Sequence, residues 1–110
     1  MNYDIDRQRL PENISEPALK DMASVALKTL HQAAKTEGKQ DGKGMFLMIE
    51  GSRIDMGAHS NDPANHARDV FAYQETVQVV LDWIDALPPK EKARTVMISV
   101  SDVSVHTIYT

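Results

Sequence analysis

Met45-Phe46-Leu47-Met48-Ile49-Glu50-Gly51 and Thr95-Val96-Met97-Ile98-Ser99-Val100 are the two stretches on which the fold turns. Each is a short apolar run with almost no polar alternation. The first is bounded by glycines, and both are too short for a helix of ordinary length. Runs of this kind fit strands buried on both faces, as in a parallel sheet. Between them, Asp62 and Pro63 open a helical pattern, with a capping side chain and a proline in the first turn. Val70, Tyr73, Val77, Val80, Leu81 and Ile84 form its apolar stripe, and Pro88-Pro89 ends it. Trp83 lies one position off that stripe and widens the buried face.

Upstream, Ser15-Glu16-Pro17 reads as another helix start. Leu19, Met22, Ala23, Ala26, Leu30 and Ala33 recur at three and four residues through about Lys35. Residues 36–44 are polar with three glycines, hence a loop. Residues 1–14 show no clear period and read as an extended lead-in. The expected order is helix, strand, helix, strand: an α/β fold with one right-handed parallel crossover. Two parallel strands do not make a stable sheet alone, so the pattern reads as part of something larger.

The 110 residues suffice for one small domain. A hydrophobic fraction of 42% and a charged fraction of 25% mark a globular rather than a disordered chain. The net charge of −4, with scattered Lys and Arg, argues against a nucleic-acid partner. Without cysteine there are no disulfides, thiolate chemistry or Cys-type zinc sites. No apolar run approaches the ~18 residues of a membrane span. The polar opening, Met1 to Arg7, carries no signal-peptide pattern. Asn13-Ile14-Ser15 fits the glycosylation triplet, which matters only on a secretory route.

Ligands of open α/β sheets gather at the carboxyl ends of the strands. Glu50 and Asp102 follow the two apolar runs, and Asp55 and His59 lie in the loop after the first. Asp55 and His59 are four apart, so one helical turn would place both on one face. Carboxylates suit magnesium, and a carboxylate with an imidazole suits zinc. Gly51 and Gly57 let backbone bend closely around an ion. Each residue has a plainer reading as a turn cap or a solvated side chain. From the residues alone, caps and a metal site stand level. His66 reads as a surface or half-buried helix residue, His31 as structural or solvated, Arg53 as a brace for the loop, and Lys90 to Lys92 as a solvated link.

The run from Gly44 to Pro63, with its core Glu50-Gly51-Ser52-Arg53-Ile54-Asp55-Met56-Gly57-Ala58-His59, resembles the alkaline phosphatase signature. Ala64 to Tyr73 continues the likeness, which is closest to the fungal vacuolar type and extends from Met1 to Asp102. The resemblance implies part of that family's three-layer α/β fold, carried by residues 1–102. It implies Glu50 as a magnesium ligand, Asp55 and His59 as ligands of one zinc, and Asp102 as a ligand of a second zinc. It also implies hydrolysis of phosphate monoesters through a phosphoseryl intermediate, a homodimer, and a vacuolar, membrane-anchored or secreted setting. The rival from another class is a non-catalytic module that binds a divalent ion or a partner; a third reading is a translated remnant without function.

The departures are as informative. Family members follow the aspartate matched by Asp102 with a zinc histidine, where this chain has Val103, and His106 is displaced by three positions. Nothing in residues 1–49 matches the family's nucleophilic serine, metal-bridging aspartate or phosphate-binding arginine, and the last zinc histidine is missing downstream. Residues 103–110 therefore read as an unrelated tail. Val103-Ser104 can be encoded by GTRAGT, a splice-donor signal, so translated intron is one expectation for it; Met1 stands likewise as an internal methionine of a longer gene. Genomic sequence is expected to read GTRAGT at codons 103 and 104, with a His-Glu-Thr-Gly-Gly exon further on; any other reading of those codons removes the intron explanation.

Overall fold

Asp62 and Pro63 start the longest helix, as their chemistry requires. The Asp62 carboxylate accepts from the Ala64 and Asn65 amides at 3.1 and 3.0 Å, and from the Asn65 side-chain amide at 2.8 Å. Pro63 occupies the first turn, where no amide is needed. The computed structural model describes residues 2–11, 14, 16–36 and 44–101. Its elements are α1 (Asp4–Arg7), α2 (Leu19–Thr36), α3 (Arg53–His59), α4 (Pro63–Asp85) and α5 (Pro89–Lys92). Helix α4 is the hub: α1, α2 and α3 each pack against it.

The inner face of α4 carries Asp69, Ala72, Thr76, Val77 and Val80, while Val70 and Leu81 turn outward. Thr76 is almost wholly buried because its hydroxyl donates to the Ala72 carbonyl at 2.8 Å, which satisfies it locally. Helix α2 buries Ala23 and Leu27, with Ala18 just before its start. Its stripe is rotated from the expected one: Met22 and Ala33 face outward, and Leu27 faces inward. Ser15 lies outside the described residues. The helix begins at Leu19, where Asp21 reaches back to the Ala18 amide at 3.3 Å.

Residues 4–7, expected as extended, form a helical turn. The Asp4 carboxylate takes Nε and Nη2 of Arg7 on one oxygen, at 3.1 and 2.7 Å, and Nε2 of Gln8 on the other at 2.7 Å. The Asp4 amide then reaches Asp69 on α4 at 3.4 Å.

The expected α/β fold, with two strands joined by a parallel crossover in a three-layer arrangement, is not what the chain forms. Among the described residues there is no strand and no sheet. The two apolar runs are irregular, and no backbone hydrogen bond joins one to the other. A strand exists through its ladder, and apolar content supplies no ladder. Each run instead rests one edge on the helices. Met45, Leu47 and Ile49 are half-buried, whereas Phe46 is 87% exposed and Ile98 80%. Both runs border one hollow above α2 and α4, together with Leu27, Val77 and Trp83. Among the described residues, no helix is long and apolar enough to cross a membrane.

Helix α5 is pinned back to α2. Glu91 meets Nε2 of His31 at 2.8 Å and Nζ of Lys35 at 3.2 Å, and the His31 ring stands edge-on to Trp83 at 5.2 Å. His31 is thus structural. The bond to His31, then that to Lys35, holds the Glu91 carboxyl below its ordinary value of 4.5. Folding therefore favours ionised Glu91. The contribution is present above about pH 4.5 and is lost as pH falls through the depressed value. Glu91→Gln should melt below the wild-type chain at pH 6, with the gap closing toward pH 3, in thermal unfolding followed by circular dichroism.

Candidate metal centre

Glu50 ends the first apolar run, and its side chain is exposed. Gly51 follows because nothing larger fits: a Cβ there would lie 2.9 Å from Cδ2 of Tyr73 and 3.3 Å from Cδ1 of Ile54. The close approach sets the turn against Tyr73, whose hydroxyl meets Ser99 Oγ at 2.9 Å and so links the turn to the second run. The Ile54 amide bonds to the Gly51 carbonyl at 3.1 Å and begins α3. Arg53 stacks its guanidinium over the Tyr3 ring at 5.2 Å. It braces the loop against the N-terminal segment, as the sequence suggested.

Helix α3 ends in a Schellman cap. Asn61 has φ 52°, the Asn61 amide bonds to the Ala58 carbonyl at 3.0 Å, and the Asp62 amide bonds to the Gly57 carbonyl at 3.0 Å. Asparagine tolerates the left-handed conformation better than most side chains. The turn packs α4 against α3, and the helices meet where Gly57 faces His66. A Cβ on Gly57 would lie 3.0 Å from both the Cα and the N of His66.

The structure brings Asp55 and His59 together. Asp55 Oδ1 lies 3.3 Å from His59 Nε2, and their side chains are 71% and 81% exposed. They stand one helical turn apart with both donor atoms open to solvent. A carboxylate oxygen and an imidazole nitrogen so placed fit two positions of a zinc-type site. Glu50 is placed differently, bordering a small cleft with Asp4, Arg7, Arg53 and Asp69. Among the described residues, no group of three or more His, Asp or Glu is set to hold an ion. Asp102, Val103 and His106 lie outside the described residues.

The cleft has a residue that the sequence reading passed over. Asp69 is buried, and burial pushes its carboxyl above the ordinary value of 3.8; the bond from the Asp4 amide opposes this. The available signal was register: Asp69 falls four residues before Tyr73, on the inner face of α4.

With that geometry in place, the comparisons with known proteins can be given. The alkaline phosphatase family pattern matches residues 1–109. The chain is 39% identical over 100 residues to the repressible alkaline phosphatase of Saccharomyces cerevisiae, covering 91% of this chain and 16% of that protein. It is 38% identical over 102 residues to the alkaline phosphatase of Schizosaccharomyces pombe, covering 93% and 17%. It is 33% identical over 86 residues to the streptomycin-6-phosphate phosphatase of Streptomyces griseus, covering 78% and 18%. No solved structure gives a significant match. The chain belongs to the alkaline phosphatase family. It spans 16 to 17% of the length of the two yeast relatives.

Gly57 gives the α3–α4 contact a direct test. Gly57→Val forces two methyl groups and a Cβ toward the His66 backbone, an overpacking cost of about 1–3 kcal/mol. Helix propensity returns only a few tenths of a kcal/mol. The variant should lose about 1–2 kcal/mol in urea unfolding. Gly57→Ala, which gains about 1 kcal/mol in propensity, should stay within about 1 kcal/mol of the wild type.

Proposed function

We propose that this chain is the segment of a zinc- and magnesium-dependent alkaline phosphatase that carries part of its metal site, acting on phosphate monoesters. The observation that supports this most is the Asp55–His59 pair: two donors of zinc type, 3.3 Å apart and solvent-facing on one turn of α3. Asp55 and His59 would hold one zinc. Glu50, an exposed hard-oxygen group bordering the cleft it shares with Asp4, Arg7, Arg53 and Asp69, would serve magnesium, and Asp102 would serve the second zinc. Bound divalent cations supply Lewis-acid polarisation of a phosphate oxygen and an activated oxygen nucleophile near neutral pH.

The chain's own residues bind and orient. Asp55 and His59 present their donors on a helix whose two ends are tied down, by the Gly51 turn and the Asn61–Asp62 cap. Arg53 holds the loop to Tyr3. Nothing in residues 1–49 matches the family's seryl nucleophile, and Val103 stands where family members have a zinc histidine. The segment therefore contributes ligands and does not complete the reaction alone. Residues 103–110 are proposed to contribute no ligand, although the family pattern runs on through residue 109.

Isothermal titration of the full chain with zinc is expected to show binding that Asp55→Ala weakens at least tenfold. Hydrolysis of a chromogenic phosphate monoester, with zinc and magnesium at alkaline pH, should not exceed that of Asp55→Ala. Zinc-dependent turnover lost in the variant would overturn the claim that the nucleophile is missing. Equal zinc binding by both proteins would overturn the site.

A further inference from the structure

We infer that His66 is a positioning residue for the Asp55–His59 pair, an assignment that rests on reading that pair as a metal site. His66 sits on α4, outside the ligand set, yet touches α3 at two points that bracket Asp55. Its Nδ1 lies 3.0 Å from the Ile54 carbonyl oxygen. A carbonyl can only accept, so Nδ1 carries the proton and donates. Three residues on, Gly57 brings the α3 backbone against the His66 backbone, with the position of an added Cβ only 3.0 Å from His66 Cα. One contact limits rotation of α3 about its axis; the second limits its distance from α4.

The need for such a hold follows from the helix itself. Helix α3 has seven residues, and Ser52 at its start makes no side-chain capping bond. A helix this short is not stable by its own hydrogen bonds. Asp55 and His59 project on an exposed face, so besides their own 3.3 Å contact it is the α3 backbone that sets the positions from which their donors reach out. His66 is itself fixed, because its amide bonds to the Asp62 carbonyl at 3.0 Å in the capped first turn of α4. The cap that starts α4 thus extends through His66 to the residue preceding Asp55. Groups hydrogen-bonded directly to metal ligands are worth about 10–100-fold in affinity, and a hold through the backbone belongs at the lower end of that range.

The test separates donor position from mere packing. The amide nitrogen of His66→Asn can occupy the place of Nδ1, whereas that of His66→Gln lies one methylene further out, and His66→Leu has no donor. Cobalt(II) binding to the full chain, followed by its visible absorption, should be within about twofold of wild type for His66→Asn and about tenfold weaker for His66→Leu and His66→Gln. Far-ultraviolet circular dichroism checks that each variant keeps its helices; if His66→Leu does not, His66→Gln decides. Wild-type affinity in His66→Gln and His66→Leu, with binding still lost in Asp55→Ala, would overturn the role of His66 and leave the site standing. Cobalt binding by the wild type no better than by Asp55→Ala would overturn the site and the positioning role together.

Discussion

Asp62 closes one helix and opens the next, and the rest of the structure depends on that turn. Its amide satisfies the Gly57 carbonyl at the end of α3, and its carboxylate satisfies two amides at the start of α4. Orphan amides and carbonyls at helix ends are costly when left unmet. Here one residue meets them on both sides, with Asn61 supplying the left-handed bend. The direction of α4 is thereby fixed relative to α3. Helix α4 then offers its inner face to α1 and α2, so the layer is organised from this turn outward.

The parts of the fold that were legible in the sequence are those decided locally. Asp62-Pro63 states a helix start in its own chemistry, and Pro88-Pro89 states a stop. The two apolar runs were misread because a strand is a relation between segments. Phe46 and Met48 are apolar enough for a buried strand, yet both stand open to solvent in a run with no ladder. The turn at Asp4–Arg7 was missed for the same kind of reason. Its anchor, the bond from the Asp4 amide to Asp69, spans 65 residues and leaves no local period. On α2 the stripe was found but its facing was not. With alanines at so many positions, several rotations bury similar area, and only the contact with α4 selects Ala23 and Leu27.

For the candidate site the division runs along the same line. The spacing of Asp55 and His59 suits one helical face, because four residues is close to one turn, but the segment read as a loop and its helix α3 was not legible. Glu50 reads as the carboxyl end of a strand that does not form, and its neighbours in the cleft, Asp4 and Asp69, come from distant segments. His66 was legible as a half-buried helix residue, while its bond to Ile54 required knowing where α3 lies. The comparisons add the family, through similarity spread over most of the chain. The residue roles within it rest on the geometry of α3 and on the proposed chemistry.

The supports of the site differ in kind from those of the layer around it. Among the described residues, the buried apolar side chains are Ala18, Ala23 and Leu27, which supply little hydrophobic free energy. Ion pairs such as Lys20–Glu75, exposed on both sides, are screened by solvent and add little. Helix α3 is secured by other means: a Schellman cap, the Asp62 bonds, the His66 bond and a glycine contact at backbone range. Those interactions are short-ranged and directional, so they fix orientation even where apolar burial is thin. Loosening the open runs at 45–50 and 95–100 would bear first on α2 and the hollow they share. The Asp55–His59 face holds its place as long as the Asn61–Asp62 turn and the His66 and Gly57 contacts with α4 stay intact.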